Sequence, residues 1–259
     1  MNSVEGVILK RLEDATQGIN SFKTEWKTSR VIWKAVQMKI EEAIPYILKL
    51  ATKGDDMQLY ASIFAIRTFR MTQASELLRG IAQSTRHKQY IRNVAYDALL
   101  TISEDSELEK TVSDLLESLP SEIKYAIDKG DYDGLKQQYL EKFEKKEKAD
   151  ELVYLYLLSK AYPSLTKLIE EIIVKIPFAS PYFKNIRAIY KLARFRNDAQ
   201  ILGLLSFLFE KKAPMFKRTA SLDKEAWNQH QYFYQFGNSV NVRKELSSPE
   251  SRLAFSNFT

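Results

Sequence analysis

Apolar positions recur at intervals of three and four residues along most of the chain before residue 214, the period of helices that bury one face. Ile44, Ile47, Leu48 and Ala51 share one such face, and Gly54 follows as the C-cap that ends the helix. Asp55 and Asp56 then offer acceptors to the free N–H groups of a second helix carrying Leu59, Ile63, Ile66 and Arg70. A break at Met71-Thr72 precedes a third helix through Leu77, Leu78 and Ile81, and a fourth through Tyr90, Val94, Ala98 and Ile102.

The pattern continues less regularly. Leu108, Val112, Leu115 and Leu116 predict a helix stopped near Pro120, and further helices begin near Asp133, Asp150, Ser164, Pro181 and Asn197. Leu152–Leu158 and Ile201–Phe209 are apolar around their whole circumference, which predicts helices sandwiched between neighbours. The chain therefore reads as all-α, with about twelve to fourteen helices and no strand. Past residue 214 the register fails. Trp227, Tyr232, Phe233, Tyr234, Phe236, Phe255 and Phe258 are set among polar residues, and one helix near 223–234 followed by irregular chain is expected. The predicted organisation is leading helices over 1–40, paired helices over 41–213, and an aromatic segment over 214–259 docked on the last pairs.

The pairs repeat. A shift of 33 places Ala65, Ile66 and Phe69 on Ala98, Leu99 and Ile102, and a shift of 30 places Ile47-Leu48 on Leu77-Leu78. With small residues Ala61, Ala65, Ala95 and Ala98 at the helix crossings, the pairs at 41–70 and 73–102 resemble HEAT-type repeats. Asp131-Tyr132-Asp133-Gly134 resembles the turn that opens a tetratricopeptide-type helix, although the alanine pattern of that family does not follow it. The resemblance implies an α-solenoid, a right-handed superhelix of stacked antiparallel helix pairs with a concave binding face. It also implies a piece of a longer bacterial repeat protein. A single pair cannot cover its own apolar side, so neighbouring pairs must stack.

Composition narrows the chemistry. Zero cysteines in 259 residues exclude disulfide scaffolds, thiolate zinc sites and thiol catalysis. No phosphate-cradling glycine motif is present, and the two histidines, His87 and His230, lack partners at metal-ligand spacing. Lys129-x-Asp131-x-Asp133-Gly134 is similar to a calcium loop but has Lys129 and Leu140 where acids belong at the first and twelfth positions, so a helix N-terminus explains it better. No cofactor, metal or catalytic residue is expected. Glu5, Lys10, Arg11, Glu13 and Asp14 interrupt any signal-peptide core, and the longest apolar runs fall far short of the ~20 residues of a membrane span. A cytoplasmic protein without a membrane partner is expected.

Charge distribution points to where binding occurs. The net charge of +6 conceals a block of 15 acidic and 8 basic residues over 103–151, and a block of 9 basic and 2 acidic residues over 177–220. Within the basic block Lys184, Arg187, Lys191 and Arg194 fall at spacings of 3, 4 and 3, which places them on one helix face. Arg196, Lys211, Lys212, Lys217 and Arg218 extend it, and Arg67, Arg70, Arg79, Arg86 and Arg92 form a second basic ridge if the helices align. The function expected is a non-catalytic scaffold that binds a macromolecule on a partly basic face, a protein in the first place and nucleic acid as the alternative. The sharpest enzymatic alternative is an alkylated-base DNA glycosylase of the HEAT-like type, which the chain resembles in length, helical architecture and charge. That family holds DNA with tryptophans and a carboxylate on the concave face; here Trp26, Trp33 and Trp227 all lie outside the middle helices.

Overall fold

The computed structural model describes residues 4–19, 28–177 and 180–205. Lys211, Lys212, the aromatic segment 214–259, His230, Trp26 and Trp227 lie outside them. The described residues are all-α: α1 (Val4–Thr16), α2 (Thr28–Gln37), α3 (Ile44–Lys53), α4 (Asp56–Thr68), α5 (Ser75–Gln83), α6 (Gln89–Ile102), α7 (Asp105–Glu117), α8 (Ser121–Lys129), α9 (Tyr132–Glu144), α10 (Leu152–Leu158), α11 (Ser164–Lys175) and α12 (Ser180–Arg196). Short 3-10 turns at Glu41–Ala43 and Thr72–Ala74 lead into α3 and α5, and 199–205 is also helical. None of the described helices is long and apolar enough to cross a membrane. Two compact units divide the chain, Met1–Thr111 and Val112–Thr259.

In the first unit the helices pack as pairs, α1 on α2, α3 on α4 and α5 on α6. Successive pairs then meet like on like: α1 packs on α3, α2 on α4, and α4 on α6. The helices α4 and α6 run parallel. Lys88, at the start of α6, lies 2.6 Å from Asp56 at the start of α4, while Arg67 in the last turn of α4 reaches Asp97 farther along α6. Tyr60 and Tyr90 face each other between these ends, ring centroids 6.3 Å apart, and Trp33 of α2 stacks on Phe64 of α4 at 4.0 Å.

The buried positions give the repeat its register. Ala65, Ile66, Ala98 and Leu99 are all fully buried, in keeping with the shift of 33, while of its third pair Ile102 is buried and Phe69 half-buried. The first helices repeat at 31 rather than 30: Ala43, Ile47, Leu50 and Ala51 correspond to Ala74, Leu78, Ile81 and Ala82, all buried, whereas Leu77 is half-buried. Two adjacent leucines allow either alignment of the sequence, and the packing selects Leu78.

The chain reverses between pairs through one recurring turn. Ile40 N–H donates to the Ala35 carbonyl and Met71 N–H to the Ile66 carbonyl, each bond spanning a residue at positive φ, Lys39 (55°) and Arg70 (51°). This is the Schellman closure, in which a left-handed residue lets the chain satisfy the last carbonyls of a helix. Ile40 and Met71 then bury their side chains just ahead of the 3-10 turns. Glycine is the usual occupant of the left-handed position, so lysine and arginine hide the turn from a sequence reader.

Gly54 does end α3, but with φ −74° it is extended rather than left-handed. Its necessity is steric: a Cβ would sit 2.6 Å from the Leu50 carbonyl oxygen and 2.7 Å from Gln58 Cβ. The next residue, Asp55, opens α4 as expected. Its carboxylate accepts from Met57 and Gln58 N–H while the Gln58 side chain accepts from Asp55 N–H, a reciprocal capping box.

The second unit repeats the scheme. There α8 packs on α9, α9 on α11, α11 on α10, and α10 on α12. Near the start of α10 the Ala149 carbonyl accepts from Asn185 Nδ2 at 2.8 Å; at the end of α10 the Tyr156 carbonyl accepts from Arg196 at 2.7 Å. Early residues thus meet early residues and late meet late, so α10 and α12 are parallel. The apolar helix α10 buries Leu152, Val153, Leu155, Tyr156, Leu157 and Leu158, the sandwiching that its composition predicts. Gly130, at φ 68°, closes α8, and Asp131 accepts from Gly134 N–H to open α9. The calcium-like acids are therefore a helix cap.

Candidate functional site

The candidate surface is the polar side of α12. Its other side is core: Tyr182, Asn185, Ile186, Ile189, Leu192, Ala193 and Phe195 are buried. The 3–4–3 spacing of Lys184, Arg187, Lys191 and Arg194 keeps all four off that buried strip. Their surroundings differ. Lys184 is 75% exposed, with its Nζ 3.9 Å from Oδ1 of Asp150, an exposed pairing that water screens. Arg187, Lys191 and Arg194 are half-buried, and one guanidinium nitrogen of Arg187 is itself enclosed.

Arg196 is engaged elsewhere. Its guanidinium donates to the Tyr156 and Leu157 carbonyls at 2.7 and 3.1 Å, at the C-terminal end of α10, and lies 4.3 Å from the centre of the Tyr156 ring. A cation suits that position, where orphan carbonyls concentrate negative potential. The Tyr156 hydroxyl in turn donates to Asp198 at 2.7 Å, and Asp198 accepts from Ile201 N–H to start the following helix. Burial is the main reason the Tyr156 phenol is held far above its usual ionisation range, with the Asp198 carboxylate adding to it and Arg196 opposing.

Of the five arginines Arg67, Arg70, Arg79, Arg86 and Arg92, three are likewise internal ties rather than members of a ridge. Arg67 pairs with Asp97, and Arg79 donates to the Glu107 carboxylate at 2.6 Å and to Thr111 Oγ1 at 3.3 Å. Arg92 Nε donates to the Ala82 carbonyl at 2.9 Å, near the end of α5. Only Arg70 and Arg86 of the five are exposed. The hydrogen bond from Arg79 pulls the Glu107 carboxyl below its usual range.

Sequence reasoning missed the other polar clusters. Lys136 pairs with Glu171 at 2.5 Å between α9 and α11, which lowers the glutamate and raises the lysine. Lys142 pairs with Glu151 and lies 5.3 Å from the centre of the Tyr139 ring. Burial raises the Tyr139 phenol well above its ordinary value, with Glu151 adding to the shift. A signal existed for one member only: Asp97 interrupts the apolar run Val94-Ala95-Tyr96-Asp97-Ala98-Leu99 and so demands a buried cationic partner.

Among the described residues no group of three or more His, Asp and Glu side chains is arranged to hold a metal ion. His87 is half-buried between two exposed cations, Arg86 and Lys88. Comparison with protein-family models, with curated proteins and with solved structures finds no match to this chain.

Proposed function

We propose that the chain is a non-catalytic helical-repeat scaffold, HEAT-like in its stacking, that binds a macromolecular partner on a partly basic face. The partner favoured is a protein presenting an acidic surface, with Lys184, Arg187, Lys191 and Arg194 as its contacts. One observation carries the reading: in each unit helices pack like on like in parallel, as α4 does on α6 and α10 on α12. Such stacking leaves one side of each successive helix as part of a continuous surface, the arrangement repeat proteins use for extended partners. The charged groups that are most enclosed, among them Arg67, Asp97, Arg79 and Arg196, serve as ties between helices, which leaves binding to the outer faces.

The test is a titration of the whole chain with three polyanions: polyglutamate, duplex DNA and single-stranded RNA. Each is measured at about 50 and about 200 mM salt, a range over which several phosphate contacts lose orders of magnitude in affinity. Tighter binding to polyglutamate than to either nucleic acid supports the protein-partner reading. Preference for DNA or RNA with a steep salt slope transfers the same face to nucleic acid, and base release from alkylated DNA would replace the scaffold reading with the glycosylase one.

A further inference from the structure

The second unit carries a cleft that the basic-face reading does not use. It lies between the start of α8 and the second half of α9, is open to solvent with a volume of about 290 Å³, and is lined by Pro120, Glu122, Ile123, Gln138, Glu141, Lys142, Lys145 and Glu147. That volume is at the small end of ligand pockets and suits one long side chain better than a cofactor. The local charge is set by which pairs are already made. Lys142 is paired with Glu151, and Lys145 lies 3.6 Å from Glu141. Glu122 and Glu147 are exposed and make no side-chain hydrogen bond or ion pair among the described residues, and neither does the Gln138 amide. Two carboxylates and an amide oxygen thus remain as acceptors around an apolar floor at Ile123.

An aromatic surface adjoins them. Tyr125 is 64% exposed, far more than a tyrosine used for packing, and stands three residues from Glu122, hence beside it on α8. Its ring already attracts a cation, Lys129 Nζ, at 5.7 Å from its centre.

We propose that this cleft is a docking site for an arginine side chain in a basic peptide segment of a partner protein. Arginine fits on three counts. Its guanidinium offers five donors in a plane, so it can bridge carboxylates and the Gln138 oxygen together, which a lysine ammonium does less well. Its stem covers Ile123 and Pro120. A neighbouring basic residue of the peptide replaces Lys129 over Tyr125. The site is of opposite charge preference to the α12 face, so its success or failure is independent of that reading.

The test uses fluorescence anisotropy with the whole chain and two labelled probes, hexa-arginine and hexa-lysine. Hexa-arginine is expected to bind several-fold more tightly than hexa-lysine. E122Q/E147Q is expected to weaken the hexa-arginine complex about tenfold, and Y125A about threefold, by loss of charge-assisted and cation–π contacts. An E104Q/D105Q control, at exposed acids of the first unit, is expected to leave binding unchanged. All of these positions are exposed, so circular dichroism should match the parent. Equal affinity for both probes, equal losses in E122Q/E147Q and the control, or no binding at all would overturn the proposal.

Discussion

Arg67 Nε lies 3.1 Å from Oδ2 of Asp97, a carboxylate with no solvent exposure, so the contact between α4 and α6 has an ion pair within it. Burying two charges is costly, and their attraction offsets that cost only while both are present. Asp97→Leu and Arg67→Leu should each destabilise the first unit by about 3 kcal/mol or more, because each leaves the other charge uncompensated. The double variant R67L/D97L should recover most of that loss in urea denaturation. Additive losses would show the two groups to be energetically independent.

Arg70 is a non-glycine residue in left-handed conformation, at φ 51°, and so is Lys39, at φ 55°. The side chain costs roughly 1–2 kcal/mol there, partly offset because glycine loses more chain entropy on folding. Arg70→Gly and Lys39→Gly should therefore each stabilise the chain, by up to about 1 kcal/mol, as read by the urea midpoint. Destabilisation by either change would mean that the cation contributes more through the helix-end dipole than its backbone costs.

Gly54 requires the opposite outcome from a glycine exchange. Gly54→Ala places a methyl against the Leu50 carbonyl and Gln58 Cβ, and should cost about 1–3 kcal/mol as an overpacking defect. Asp55→Ala, which removes the adjacent capping box, should cost about 1 kcal/mol. Both are measured by the same denaturation.

The contrast between Gly54, Arg70 and Lys39 indicates what the sequence made legible. Helix positions followed from apolar periodicity, but the face was met only in part: Ile47, Ala51, Leu78 and Ile81 are buried as the pattern put them, whereas Ile44, Leu48 and Leu77 are half-buried and Leu50 and Ala82 take the core positions. The cap at Asp55 followed from residue chemistry. The left-handed turns did not, because only the pull of Ile40 and Met71 into the core forces Lys39 and Arg70 into that conformation. The spacing of the α12 cations located a helix face, but spacing carries no information on burial, and Arg187, Lys191 and Arg194 are half-buried while Lys184 is open. Arg196 reads as one more cation, yet its role depends on the end of α10, some forty residues earlier in the chain.

Stability should fall at both pH extremes. Glu107 and Glu171 are held below the usual carboxylate range by Arg79 and Lys136. Their contribution is complete above the unfolded value of about 4.3 and is lost as pH falls through their depressed folded values. Tyr139 and Tyr156 are raised chiefly by burial, so their contribution is complete below the unfolded value of about 10 and declines as pH rises beyond it. Denaturation midpoints across the pH range should show a plateau bounded near those two values. E107Q and E171Q should flatten the acid limb alone, and an unchanged acid limb in both would assign it to other carboxylates.

Binding of an acidic partner on the polar side of α12, as proposed, is tested by calorimetric titration of polyglutamate into the parent chain and into K184E/K191E. The parent is expected to bind measurably, and the variant to lose tenfold or more, about 1.4 kcal/mol, with its helical circular dichroism intact. Equal affinity of the two proteins for polyglutamate would contradict the proposal.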